Sequence, residues 1–529
     1  MAEELLPPMK WNAWGDPAAA KPLSESIRSL LKQALGVQDS DVAELDADQV
    51  RLSSSALGQA DYDALAAIVG PDFCRVGDRD RLLHAGGKST LDLLRRKDTG
   101  VQEAPDAVLL PATRTTSRPS CDIARSAASP SSRSAAAPAW WVGSTRSAAG
   151  STRWCRWICG GSTGCTRSTR CLAWPSSVPG SPALRPKACS ASMGFRWAFS
   201  AELRVRHHRR LRGDPLVGSG FGGLRALRRH GSGLRVITPA GALELGRPGV
   251  GGRPDLRELM IGSEGVFGVI TRVRLRVHRI PEATIYEAWS FPDFATGTAA
   301  LRAVSQTGTG PTVIRLSDEA ETGVNLATTE AIGQQQITGG CLAITVFEGT
   351  TAHAESRHAE TRTLLEAHGG TSLGEEPAQA WQRGRFSAPY LRDSLLAAGA
   401  LCETLETATD WSNITALKAA VTDALTGALA ASGTPALVLC HISHVYPTGA
   451  SLYFTVVAGQ RGNPIEQWRV AKVAACDAIM RTGGTITHHH AVGADHRPWL
   501  RDEIGELGVQ ILRAVKSTLD PAGILNPAS

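Results

Sequence analysis

The sequence predicts a protein of two or three domains in which helix and strand both occur, and three observations carry that prediction. With 529 residues, 42% of them hydrophobic, the chain can enclose several sizeable cores. A glycine-rich turn, GSEGVFG (Gly262–Gly268), leads into VITRVRLRV, whose apolar residues alternate with the period of a half-buried strand. Near the N-terminus SESIRSLLKQALG reads as a short helix. No run of about 18 apolar residues offers a membrane span, and MAEELLPPMKWNAWGDP lacks the basic-then-apolar layout of a signal peptide. A soluble, cytoplasmic protein is the expectation.

The net charge of +6 suggests an anionic partner until its distribution is considered. Between Arg114 and Gly233 stand 20 Lys and Arg against three acids, Asp122, Glu202 and Asp214, and the rest of the chain balances at −11. The same stretch holds six of the eleven cysteines and six of the thirteen tryptophans. Neither a helical nor a strand period persists through it. A disordered linker is poor in Trp and Cys, and a folded surface carries acids. An excess of Arg, Ser, Trp and Cys is what a GC-rich gene yields when translated out of register. With suitable codons, AAPAWW (Ala136–Trp141) shifted by one base reads GGTSVV, within the hypothetical peptide VVPFGGGTSVV. The stretch from Ala198 likewise gives the hypothetical FPQSFEFATIGGFAATRSSGQASAGYG. Register slips near Thr113, Arg196 and Gly233, and three slips of one sign restore it.

Motifs inside that stretch lose their force. Gly218, Gly220 and Gly223 match GxGxxG, but no strand precedes them. Cys155, Cys159, Cys165 and Cys171 lack the paired CxxC spacing of a zinc site. RVRHHRRLR at 204–212 is basic, but no aromatic platform or nucleic-acid module accompanies it. No nucleic-acid partner and no metal are expected.

Outside it, four features bear on chemistry. The GSEGVFG backbone (Gly262, Ser263, Glu264, Gly265, Val266, Phe267, Gly268) is either a tight structural turn or a loop that lets a flat or charged ligand approach. Arg315 sits between Ile314 and Leu316, and a guanidinium in an apolar strand needs an anionic partner such as phosphate or carboxylate. Tyr453, in SLYFTVV, reads locally as a core aromatic. His488, His489 and His490 suit proton transfer near neutrality. On a strand one face would see at most two of them, and a metal cluster would need them to converge with a carboxylate.

In combination these segments resemble a known family. GSEGVFG with its following strand is similar to a binding loop of the vanillyl-alcohol-oxidase, or PCMH-type, FAD proteins, and the two shifted-frame peptides resemble that class's pyrophosphate and flavin-flanking loops. MKWNAWGDP (Met9–Pro17), LLHAGGKSTLDLLRRKDTG (Leu82–Gly100), PTVIRLSDEAET (Pro311–Thr322), HISHVYPTGASLYFTV (His441–Val456) and GGTITHHHAVGADHRPWL (Gly483–Leu500) resemble the alkyldihydroxyacetonephosphate synthases. The resemblance covers about 1–113 and 234–529. It implies a helical N-terminal region (1–100), an FAD domain of two small α+β subdomains (101–281), an antiparallel-sheet substrate cap (282–500) and a C-terminal segment (501–529) returning to the FAD domain. It also implies FAD as cofactor and exchange of the acyl group of acyl-dihydroxyacetone phosphate for a long-chain alcohol, the flavin serving as an electrophilic holder. Tyr453 is then the base, His488, His489 and His490 shuttle protons, Arg315 holds the substrate's anion, and residues 262–268 hold the cofactor. A peripheral membrane contact and a homodimer complete the expectation. A 2-hydroxyacid oxidoreductase on the same scaffold is the alternative activity. If the translation is literal, an inactive chain that binds no flavin is the other reading. The ending LDPAGILNPAS departs from the family by lacking the Gly-Lys that usually follows.

Overall fold

A computed structural model describes residues 22–38, 45–97, 100–110, 231–246, 254–275, 281–328, 340–385 and 388–526, with residues 10–14, 18 and 20 and short strands at 144–146, 152–157, 176–177, 195–196 and 278–279. Most of the stretch read as out of register, and the GxGxxG, cysteine and basic motifs' side chains, lie outside the described residues.

The N-terminal region divides between the two halves of the molecule. Helix α1 (Glu25–Leu35) begins where Ser24 accepts a hydrogen bond from the Ile27 amide, and it ends at Gly36, whose φ of 57° is left-handed. Its Leu31 and Leu35 pack on Leu395, Ala400, Cys402 and Val457 of the C-terminal half. Helix α2 (Gln59–Val69) serves the other half: Leu65, Ala66 and Val69 cluster with Cys74 of β1 (Cys74–Arg75), Ala107 and Leu109 of β2 (Ala107–Leu109), and Ile524 and Leu525 from the extreme C-terminus.

There β1 pairs antiparallel with β2, and β2 runs parallel to the strand at 152–157. A second sheet pairs β3 (Gly231–Thr238) with β4 (Gly241–Leu245) and, on its other side, with β5 (Val269–Leu275). Helix α3 (Leu256–Met260) and the 262–268 turn connect β4 to β5. The turn approaches its neighbour closely: a Cβ on Gly268 would stand 2.5 Å from Val236 Cγ1 and 2.9 Å from the Ile237 carbonyl oxygen. Only glycine fits there.

The second half is an antiparallel seven-stranded sheet. In spatial order it runs 371–374, 283–291, 341–349, then β6 (Val313–Ser317), β8 (Ala436–Val445), β9 (Gly449–Gly459) and β7 (Ala400–Asp410). Period-two alternation assigns its faces. Ile314 and Leu316 of β6, Leu405 of β7, Cys440 and Ile442 of β8, and Leu452, Phe454 and Val456 of β9 form one core with the covering helices. Among those helices, α4 (Ile414–Ala431) contributes Ile414, Leu417, Val421, Leu425 and Leu429, all fully buried at spacings of three and four. Residues 411–431 form the one helix among the described residues long and apolar enough to cross a membrane by length and composition. Lys418 and Asp423 interrupt that stretch, so it is no unbroken apolar run; alanines on the outer face raise its average, while its leucines lie in the buried stripe committed to the sheet. Each of those aliphatic side chains contributes roughly 1.5–3 kcal/mol by leaving water. The sheet's opposite face carries the polar residues of interest.

Candidate functional site

Alternation turns Arg315, His441, Tyr453 and Glu406 toward the face away from α4. Register aligns three of them, since Glu406 of β7 stands opposite Tyr453 of β9, which stands opposite His441 of β8. The rings of His441 and Tyr453 stack, 5.0 Å between centroids. A bulge in β8 between Ile442 and His444 then adds a fifth group. Three residues apart, His441 and His444 would face opposite ways on a regular strand, and the extra residue brings His444 opposite Ser451, on the same face as Tyr453. His444 Nδ1 lies 2.9 Å from Ser443 Oγ and 3.3 Å from Ser451 Oγ.

The histidine run lies over this row in a bend rather than on a strand, so the limit of two imidazoles per face does not apply. One carboxylate oxygen explains the bend. Glu406 Oε1 accepts from the amides of His488 (2.7 Å), His489 (2.7 Å) and His490 (2.9 Å) and from the Thr487 hydroxyl (2.7 Å). Three successive amides aimed at one anion wrap the backbone into a concave nest, and two of the three rings meet Tyr453. His490 meets it edge-on at 5.2 Å, and His489 stacks at 6.2 Å. His488 Nε2 shares a 2.7 Å hydrogen bond with the Tyr446 hydroxyl. The Glu406 side chain is wholly buried. Burial alone would raise its pKa, but the imidazoles of His489, His490 and His488 outweigh that and hold it well below the carboxylate range.

Arg315 finds its anionic partner within the protein. Its guanidinium pairs with Glu321, in the first turn of the helix Glu319–Thr328 that follows β6, and His441 Nδ1 donates to the other Glu321 oxygen at 2.9 Å. Burial works against ionisation of Glu321, yet Arg315 first and His441 second bring its pKa down to about 2. His441 is itself pushed down by burial and by the Arg315 cation.

The 262–268 turn joins this assembly. Glu264 Oε2 accepts from the Gly493 amide at 2.8 Å, three residues beyond His490. Gly262, Glu264 and Gly265 have φ of 88°, 49° and 83°, and the partly exposed backbone of Gly262 and Ser263 allows the close approach that a flat or anionic group requires. Val266, Phe267 and Gly268 serve packing instead: Phe267 is buried among Val236, Met260 and Ile270, and the Val266 carbonyl accepts from Lys516 Nζ at 2.8 Å. The structure thus brings Arg315, Tyr453, the three histidines and the turn into one connected region. Sequence reasoning passed over Glu321, Glu406, His441, His444 and Tyr446. Four of these stand in quoted motifs, SDEAET and HISHVYPTGASLYFTV; Glu406, in ALCETLETATD, had no signal beyond an acid in an apolar strand.

Residues 280–529, which hold the cap sheet and the histidine run, match the family model "FAD linked oxidases, C-terminal domain". The chain is similar to the alkyldihydroxyacetonephosphate synthases. It is 32% identical to that of Trypanosoma brucei brucei over 317 residues, 56% of this chain and 51% of that one. A solved alkyldihydroxyacetonephosphate synthase shares its fold with a TM-score of 0.80, covering 98% of this chain and 97% of that one at 22% identity. Protein Rv2250A of Mycobacterium tuberculosis is 74% identical over 109 residues, 21% of this chain and 73% of that one. The chain spans about half the length of the curated synthases it matches.

Proposed function

We propose that this site performs the acyl-for-alkoxy exchange of an FAD-dependent alkyldihydroxyacetonephosphate synthase, on a small lipid substrate bearing a phosphate. The observation that carries the reading is the register of Glu406, Tyr453 and His441 under a histidine run that is tied through Gly493 to the 262–268 turn. FAD, when bound, supplies an electrophilic centre that holds the substrate between loss of the acid and arrival of the alcohol. The chain's residues position and move protons. Tyr453, among His441, His489 and His490, takes the proton from the carbon bearing the acyloxy group. His488, His489 and His490 relay it. Arg315, whose pairing with Glu321 engages one terminal nitrogen, has further donors for the phosphate or the leaving carboxylate. Gly262, Ser263 and Gly265 line the cofactor's approach. Cytoplasmic residence, a peripheral membrane contact and a homodimer belong to the same proposal.

Supplying acyl-dihydroxyacetone phosphate and a long-chain alcohol without an electron acceptor tests the exchange. Release of fatty acid matched by ether product supports it, and turnover only with an acceptor and a 2-hydroxyacid points to the oxidoreductase instead. Tyr453→Phe should lower the exchange rate by about 10²–10⁴-fold.

A second reading concerns the chain as translated, and the charge, Cys and Trp excess of 114–233 favours it. If that stretch is out of register, two of the three flavin loops are missing, and the purified protein is colourless and inactive. The curated synthases align with 56% of the chain, a share that residues 234–529 alone would supply. Three single-base slips on resequencing near codons 113, 196 and 233 support the reading; a yellow, flavin-retaining preparation sinks it.

A further inference from the structure

The histidine run has a geometry that proton transfer does not require. His488 Nδ1 and His489 Nδ1 are 3.0 Å apart, and Glu406 Oε2 lies 3.6 Å from the first and 3.3 Å from the second. Four ligands in a tetrahedron around a zinc ion at about 2.0 Å are separated by about 3.3 Å, the value these three edges bracket. His444 offers a further nitrogen, and one ligand atom from each of His444, His488 and His489 lies within 4.8 Å of the others.

Glu406 provides an independent observation. Its Oε1 is saturated by four donors, while Oε2, on a fully buried side chain, has no hydrogen-bond partner and faces the two Nδ1 atoms. A buried carboxylate oxygen so placed is costly unless a cation or a proton donor meets it. The outer partners suit a metal centre as well. The Tyr446 hydroxyl holds His488 through Nε2, leaving Nδ1 as the ligand atom. Ser443 and Ser451 hold His444 through Nδ1, which assigns its ligand role to Nε2. The Glu406 carboxylate is fixed by the very amides of the residues it would ligate alongside. Buried imidazole and carboxylate donors without sulfur suit borderline divalent ions, zinc above magnesium or calcium.

We propose that His444, His488, His489 and Glu406 form a binding site for a divalent transition-metal ion of the zinc class. Occupation would withdraw two of the three imidazoles from proton relay. Binding needs neither flavin nor substrate, so the site stands or falls apart from the exchange reaction.

The full-length chain, stripped with a chelator and equilibrated with zinc chloride, should retain one zinc per chain after desalting. Zinc-edge X-ray absorption should show nitrogen and oxygen neighbours at about 2.0–2.1 Å with imidazole scattering. His444→Gln and His489→Gln should each lower the affinity at least ten-fold, and His353→Gln, on an exposed helix, should leave it unchanged. A sulfur shell at about 2.3 Å would move the ion to cysteine thiolates and overturn the proposal. Equal affinity in all three variants, or no retained zinc in the wild-type chain, overturns it too. The absorption spectrum of the wild-type protein decides the matter even where a variant misfolds.

Discussion

Two buried carboxylates on one sheet face do different work. Glu321 is met by side chains, the Arg315 guanidinium and the His441 imidazole. Glu406 is met chiefly by backbone, three consecutive amides and a neighbouring hydroxyl. The first arrangement orients a charge: an arginine in an apolar strand is paired with a buried carboxylate. The second fixes a conformation, since without the carboxylate nothing in the local sequence makes THHH bend rather than extend. An anion held by side chains tunes electrostatics, and an anion held by amides shapes a loop.

The comparison is most directly broken at Glu406. Glu406→Ala leaves three inward-facing amides without their acceptor, and it should cost roughly 3–5 kcal/mol, read as a lower urea midpoint. The same variant should abolish the exchange activity. Should the midpoint hold within experimental error, the bend is set by something other than this carboxylate. Glu321→Gln comes next. A pKa depressed from 4.5 to about 2 means that the folded state gains stability above pH 4.5 and loses it as pH falls toward 2. That is about 3 kcal/mol at neutral pH. The glutamine variant should be destabilised at pH 7 and lose most of its acid slope between pH 4.5 and 2. An unchanged slope would mean that the Arg315 pair does not govern ionisation there.

How much of this was legible in sequence follows from the same contrast. Alternation around Arg315 and Tyr453 could be read directly, because a regular strand has one rule for its faces. The anionic partner expected for Arg315 was right in kind, but it is supplied by Glu321, six residues on, where the chain turns from strand to helix. His441 and His444 were written in a motif but could not be placed together, since the bulge between them has no glycine or proline to announce it. Glu406 was invisible because its partners lie more than 80 residues away. Local pattern carries elements; long-range hydrogen bonds to backbone carry the site. The charge anomaly of 114–233 was legible only because the rest of the chain is acidic.

A smaller effect sharpens the pH side of the comparison. His496, just past the run, is buried, and its Nδ1 bonds the Ala491 carbonyl at 2.8 Å. Burial, with help from Lys472, lowers its pKa from 6.5 to about 4. A depressed histidine stabilises the fold above pH 6.5, and that contribution fades as pH falls from 6.5 to 4. This window lies above the one for Glu321, so acid unfolding should begin with His496. His496→Gln should flatten the stability profile between pH 6.5 and 4 and leave the lower limb in place. Loss of the lower limb instead would show the two regions to be coupled.

The smallest effect concerns the turn rather than the sheet, and it separates packing from ligand contact at Gly268. A methyl group there meets Val236 Cγ1, the Ile237 carbonyl oxygen and Thr238 Cγ2 at 2.5, 2.9 and 3.0 Å. A side chain can give way; a backbone carbonyl within a paired strand cannot without moving the ladder. Gly268→Ala should therefore cost about 1–3 kcal/mol, measured as a shift in urea midpoint without any ligand. Adding Val236→Ala removes the closest contact but not the carbonyl, so the double variant should recover only part of the loss after the cavity made by Val236→Ala alone is subtracted. Full recovery would make the side chain the whole obstacle. A Gly268→Ala protein as stable as the parent would free that glycine from packing and leave ligand approach as its reason for being there.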